Sequence, residues 1–259
     1  MRVQMEEWRR FIPGVRMYKG KKTLFYNGEK LFGILNPLIY DKEERNSWEV
    51  IIVLPGVRVI PYMTFYRCEN VKTVIMANNV ERIERSAYYR CYSLVFVKLS
   101  TSIESIGAYA FLFCESLNSI FVPVSCREID ICALDGCSKL IILSVPQHTT
   151  LYEDVIANTA LIKASPFDTN VRGRYENDEE VNEWIKNRLA DNQFSLHRAC
   201  ASYNPLEEVI YDIVKRRDLK ALKSPDSVGV TPSQYLSQNP FTDIKEEKIM
   251  KHYILRYDG

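Results

Sequence analysis

The sequence predicts an α/β repeat solenoid built from 23-residue turns, with a parallel strand ladder, an N-terminal hairpin cap and a mostly helical C-terminal region. Three observations predict it. Cys68, Cys91, Cys114 and Cys137 stand 23 residues apart. Apolar columns keep step with them: Val71, Leu94, Leu117 and Leu140, then Val74, Val97, Ile120 and Leu143, then Met76, Leu99, Val122 and Val145. The pattern fades near residue 160, where the composition becomes polar and turn-rich. A period of this length marks a stacked array, because one such turn cannot bury its own apolar face but can be covered by the next.

Each part of the turn has its own signature. In Leu94, Val97, Leu99 and in Leu117, Ile120, Val122 the spacing is L-x-x-L-x-L, the strand segment of a leucine-rich repeat. Alternate strand residues point inward and their neighbours outward. Further along come Val57, Val80, Ile103 and Cys126, then Ile60, Ile83, Ile106 and Ile129. A bulky slot follows at Phe65, Tyr88, Phe111 and Leu134, preceded by Thr64, Ala87, Ala110 and Ala133. With the same period, Tyr152 falls in the Ile column of the fifth turn, and Ala157 and Ala160 in the aromatic and Cys slots, as in a degraded terminal repeat.

The runs VERIERSAYYRCYSLVFVKLS and IESIGAYAFLFCESLNSIFVP resemble the BspA-type leucine-rich repeats of bacterial and single-celled eukaryotic proteins. Ile106, Gly107, Ala110, Phe111, Cys114 and Leu117 carry that family's Ile-Gly-x-x-Ala-Phe-x-x-Cys-x-x-Leu pattern, and Pro123 and Pro146 follow the strands. The resemblance covers about residues 48–160. It departs from the animal and plant consensus at the Asn slot, which reads Gly56, Asn79, Ser102, Ser125 and His148.

A solenoid needs capped ends. Residues 1–47 are read as the N-terminal cap, with a hairpin turning at Asn27-Gly28 between two short apolar runs. Residues 48–165 are the repeats and 166–180 a linker. Residues 181–259 form a helical region, with Val181, Trp184, Ile185 and Leu189 at helical spacing after Asp178, Glu179 and Glu180. Two further helices are expected over 204–217 and 243–255. Leu196, His197, Ala199 and Cys200, with Asp226, Gly229, Thr231 and Pro232, resemble ankyrin-repeat fragments. An ankyrin-like unit and a degenerate helical cap both fit.

The chain of 259 residues has 34 basic and 33 acidic residues, so its net charge of +1 supplies no pull towards nucleic acid or an anionic membrane. No run of 18 apolar residues suits a membrane span. The charged start (Glu6, Glu7, Arg9, Arg10) and seven cysteines without a paired framework lead to the expectation of a reduced, intracellular protein. The ten glycines form no phosphate-binding loop, so no cofactor is expected. Cys126, Cys132 and Cys137 lack the paired short spacing and nearby histidine of a zinc site, so no metal is expected. The basic cluster at 214–218 reads as a solvated helix end. Among only three histidines, His197 lies three residues from Cys200, a helical neighbour, but nothing supplies an oxyanion site or an orienting group. A cysteine-dependent enzyme is therefore the weakest of three functional readings, and no catalytic residue is assigned.

The favoured reading is a non-catalytic protein-binding module or adaptor. The outward strand columns run Ile52, Ile75, Lys98, Phe121, Ser144 and Val50, Thr73, Phe96, Ser119, Ile142. Large apolar residues recur where water would favour polar ones, so Ile75, Phe96, Lys98, Phe121 and Ile142 are the candidate binding residues. In the resembled family this face is concave. Burial by the cap, by the C-terminal helical region or in a homo-oligomer such as a homodimer are the competing explanations. A surface or secreted adhesion protein is the alternative function.

Overall fold

The computed structural model describes residues 14–18, 21–28, 42–170, 173–189, 197, 200–201 and 223–239. The helices expected over 204–217 and 243–255, and the basic cluster, lie outside these residues. The described chain is a parallel-strand solenoid of about five turns.

Two strand ladders run along it. The first contains β1 (Gly14–Tyr18), β2 (Lys21–Tyr26), β3 (Val50–Val53), β5 (Thr73–Met76) and β7 (Phe96–Lys98), and continues after a break in hydrogen bonding as β9 (Ser119–Phe121) and β11 (Ile142–Ser144). The second is a row of two-residue strands: β4 (Val59–Ile60), β6 (Arg82–Ile83), β8 (Ser105–Ile106), β10 (Glu128–Ile129) and β12 (Thr150–Leu151). Val50 faces Thr73 and Thr73 faces Phe96, while Ile60 faces Ile83 and Ile83 faces Ile106. Like positions therefore meet one turn apart, as the 23-residue period requires.

The third side has no strands, yet it too is a hydrogen-bonded ladder. Phe65, Tyr88 and Phe111 donate their backbone N–H to Ala87, Ala110 and Ala133 of the following turn, at 2.8–2.9 Å. The intervening N–H groups close overlapping tight turns instead, as Thr64 does to Pro61 and Tyr66 to Met63. Alternate amides thus serve the neighbour and the turn itself, which leaves the backbone donors of this side paired. The geometry demands left-handed backbone twice per turn: at Met63, Ser86, Tyr109 and Cys132, and at Arg67, Arg90, Phe113 and Gly136. Only the last is glycine, and there the ring of Phe113 occupies the space a Cβ would need. Since an L side chain in this conformation costs about 1–2 kcal/mol, against a smaller entropy cost for glycine, Ser86→Gly should stabilise the chain by about 0.5–1 kcal/mol. A shift of the urea midpoint to higher concentration, at constant slope, is the expected reading.

The interior is a continuous apolar core running from Leu24 to Ile185. The rings of Phe65, Tyr88 and Phe111 stack one above another at 5.0 and 5.1 Å. Beside them runs the cysteine row. Three of its thiols donate at 3.2 Å to the carbonyl of the bulky residue one turn back: Cys91 to Phe65, Cys114 to Tyr88 and Cys137 to Phe111. Small, weakly polar and able to satisfy that carbonyl, cysteine fits this corner better than alanine would. At the departed Asn slot, Asn79, Ser102 and Ser125 each reach a carbonyl of the preceding turn, so shorter hydroxyls carry on the task of the amide.

Two expectations are corrected at the ends. Asn27-Gly28 does not turn the hairpin. Both edges of β2 are occupied, by antiparallel β1 on one side and parallel β3 on the other, and a strand has no third edge. The hairpin lies earlier, closing between Tyr18 and Lys21. At the other end the register slips by one residue: Glu128 faces Thr150 and Ile129 faces Leu151. Leu151, not Tyr152, enters the Ile column and is buried, while Tyr152 is exposed. Ile156 fills the bulky slot and Thr159 the cysteine slot; both are fully buried, so the last turn is shorter by one residue rather than degraded.

The helices whose bounds lie among the described residues include α1 (Lys42–Arg45), α2 (Ala160–Lys163), α3 (Asp178–Asn187) and α4 (Pro232–Gln238). The start of α3 is capped by the Asn177 side chain, which accepts from the Glu180 N–H at 3.2 Å, with three carboxylates in the first turn as the helix dipole favours. This helix closes the open end of the solenoid. Val181 and Ile185 join the core, the Asn182 amide donates to the Leu151 carbonyl at 3.0 Å, and the Asp178 carboxylate accepts from the Asp154 N–H at 2.7 Å. Trp184 packs edge-on against Phe167 at 5.8 Å.

Candidate functional site

The five candidate residues all belong to the outward face of the first ladder, and the structure sorts them into two groups. Ile75, Phe96 and Lys98 are half-exposed, on β5 and β7. Ile75 lies directly across from Lys98, and Phe96 across from Thr73, so the three side chains are near neighbours on one patch. Burial of its stem holds the Lys98 ammonium below the usual lysine pKa.

Phe121 and Ile142 are corrected. They are only 2% and 4% exposed, so neither offers surface in this chain. Their strand neighbour Ser119 is buried as well, and its hydroxyl lies 3.5 Å from the Gln238 side chain of α4. Phe25, Val50, Ile52 and Leu54 form a second small apolar cluster on the same face at the other end. What remains is a window over β5 and β7 between two closed ends. The columns in the sequence show which residues face outward. They carry no signal of which stretch is then covered, because that depends on segments distant in the chain.

The C-terminal cover is fastened through a buried polar centre. Arg188, at the end of α3, donates through Nη1 to the Asp226 carboxylate at 3.0 Å and to the Tyr235 hydroxyl at 2.6 Å, and through Nη2 to the Leu143 carbonyl of β11 at 2.9 Å. The Tyr235 hydroxyl in turn donates to Asp226 at 2.6 Å. Asp226 also organises its own loop, its Oδ1 accepting from the N–H groups of Val228 and Val230. Thr231 and Gln234 cap α4 reciprocally, with Pro232 at its first position. His197 bonds through Nε2 to the Ser224 carbonyl at 2.8 Å, a positioning role for the loop before α4.

The cysteines do not behave as nucleophiles. All seven are free and buried. Burial raises the thiols of Cys68 and Cys114 well above the ordinary value and pushes Cys200 and Cys126 up to about 12 and Cys132 to about 11. Burial opposes ionisation of Cys91 as well, but hydrogen bonds with Cys114 and Cys68 outweigh it and draw that thiol down to about 5; Cys91 is nevertheless fully buried, and a thiol without access is a poor nucleophile. Among the described residues no group of three or more His, Cys, Asp or Glu side chains is placed to hold a metal ion. Nor is any helix of the described residues long and apolar enough to cross a membrane.

A stack of parallel strands with an apolar interior, buried thiols and a partly open outward face defines a leucine-rich-repeat solenoid. Residues 52–173 match the BspA type Leucine rich repeat region in six copies. Regions of this kind point to a repeat protein of the protein-binding or surface-adhesion class and are typically non-catalytic. Similar solved structures are the Treponema pallidum leucine-rich repeat protein (18% identity, TM-score 0.42, 58% of this chain and 67% of that one) and a leucine-rich repeat protein from Bacteroides ovatus (22%, 0.43, 58% and 37%). A leucine-rich cell surface protein from Faecalibacterium prausnitzii is a third (21%, 0.41, 58% and 39%). The matched part spans less than two fifths of the last two. No curated protein matches this chain. The ankyrin resemblance of the C-terminal region finds no support in these comparisons.

Proposed function

We propose that this chain is a non-catalytic protein-binding module or adaptor that grips a partner protein through the window over β5 and β7. The observation that carries the reading is the patch of Ile75, Phe96 and Lys98, half-exposed on strands whose flanking neighbours are buried. An apolar pair on a flat, hydrogen-bonded sheet is rigid before binding, so little conformational entropy is lost on contact. The adjacent ammonium adds orientation. An intracellular setting suits seven free thiols, which a reducing compartment preserves.

The test is Ile75→Asp combined with Phe96→Asp. Both side chains leave the core undisturbed, so the thermal midpoint should stay within a few degrees while capture of the partner from the source cell falls at least about tenfold, or about 1.4 kcal/mol. Equal capture by the variant and the original chain would rule the window out. Fractionation of the tagged protein addresses the compartment: recovery at the cell surface favours the adhesion reading.

A further inference from the structure

The strandless third side of the first three turns presents a second surface, chemically unlike the window. Tyr66 and Tyr89 stack at 5.3 Å with planes 7° apart, and Phe113 meets Tyr89 edge-on at 6.1 Å. The Arg90 guanidinium lies 5.1 Å from the Tyr89 ring centre and 5.7 Å from that of Phe113, and the Arg85 guanidinium 5.0 Å from that of Tyr109. All six residues are partly or fully exposed.

Three carboxylates of these turns already have partners of their own. Glu69 pairs with Arg67 at 3.3 Å, Glu81 with Arg58 at 3.0 Å, and the Glu84 carboxylate accepts from the Tyr62 N–H at 2.8 Å. Among the described residues, neither Arg85 nor Arg90 has an ion-pair partner. Two guanidiniums are thus held in place by aromatic faces with their charge unopposed, and Tyr and Arg are the residue types enriched at binding hot spots.

We infer that this face is a docking site for an acidic peptide segment of a partner protein, whose carboxylates pair with Arg85 and Arg90. The planar fork of arginine takes a carboxylate through two parallel hydrogen bonds, and a guanidinium already stacked loses less freedom in doing so. Single-stranded nucleic acid is the competing polyanion. It is disfavoured because Tyr66 and Tyr89 each spend one ring face on the other while Phe113 and the Arg90 guanidinium also lie against Tyr89, which reduces the ring face open to stacking bases.

The probe is a short fluorescent peptide rich in Asp and Glu, titrated with the full chain at physiological ionic strength and followed by anisotropy. Binding is expected, with a loss of at least about tenfold when the peptide carboxylates are replaced by amides. Arg85→Gln with Arg90→Gln should abolish it at an unchanged thermal midpoint, Arg85→Lys with Arg90→Lys should restore only part, and Arg58→Gln with Arg82→Gln should leave it intact. The inference is overturned if the acidic peptide does not bind, if Arg58→Gln with Arg82→Gln weakens it equally, or if an oligouridylate binds more tightly than the peptide.

Discussion

Arg188→Met should destabilise the docking of the C-terminal segment by about 3–5 kcal/mol, the usual cost of breaking a buried ion pair by removing one partner. The side chains of Arg188 and Asp226 are 1% and 0% exposed. Methionine matches the arginine stem in length but leaves the Asp226 carboxylate in a dry interior, with the Tyr235 hydroxyl and its own loop amides as the remaining donors, and leaves the Leu143 carbonyl without its guanidinium. Hydrogen exchange should report the loss most strongly at residues 223–239, ahead of global unfolding, since these residues are joined to the solenoid through this centre. Combining it with Asp226→Leu should recover part of the loss, because an apolar pair removes the stranded charge. An Arg188→Met chain with the exchange profile of the original would show that the centre is not what holds the segment.

Phe111→Ala should cost about 3–5 kcal/mol in global stability. Phe111 is fully buried, and its ring lies parallel to that of Tyr88 at 5.1 Å, within a column that continues to Phe65. Truncation removes the transfer free energy of the ring, opens a cavity between neighbouring turns and deprives Tyr88 of a stacking partner, itself worth about 0.5–1.5 kcal/mol. A solenoid transmits such a loss, because each turn is stabilised chiefly by its two neighbours. Phe111→Leu should cost less, about 1–2 kcal/mol, since Leu134 already fills the equivalent slot one turn on. Urea unfolding of both variants checks the order. A Phe111→Ala midpoint equal to the original would mean that the aromatic column does not stabilise the stack.

The repeat was legible because stacking makes identity local. Each buried column pairs like with like at one fixed offset, so Cys91 beneath Cys114 and Val74 beside Val97 are visible in the chain itself. The outward columns were legible for the same reason: strand alternation sends Ile75, Phe96 and Lys98 away from the core whatever surrounds them. The slip at Leu151 was not, because a lost residue inside a two-residue strand changes the register without changing the composition. Local turn chemistry favours a hairpin at Asn27-Gly28, and competition for the edges of β2 overrides it.

By itself, then, the sequence determined the period, the core columns of the first four turns and the face of each of their strand residues, all of which follow from contacts between a turn and its immediate neighbours. Only the tertiary structure decided which part of the outward face stays open. Phe121 and Ile142 carry the same local signals as Phe96, yet they are buried, on the two strands whose Ser119 and Leu143 bond to Gln238 and Arg188. Exposure on a sheet face depends on whichever distant segment packs against it, and no periodicity within the strands encodes that segment's arrival.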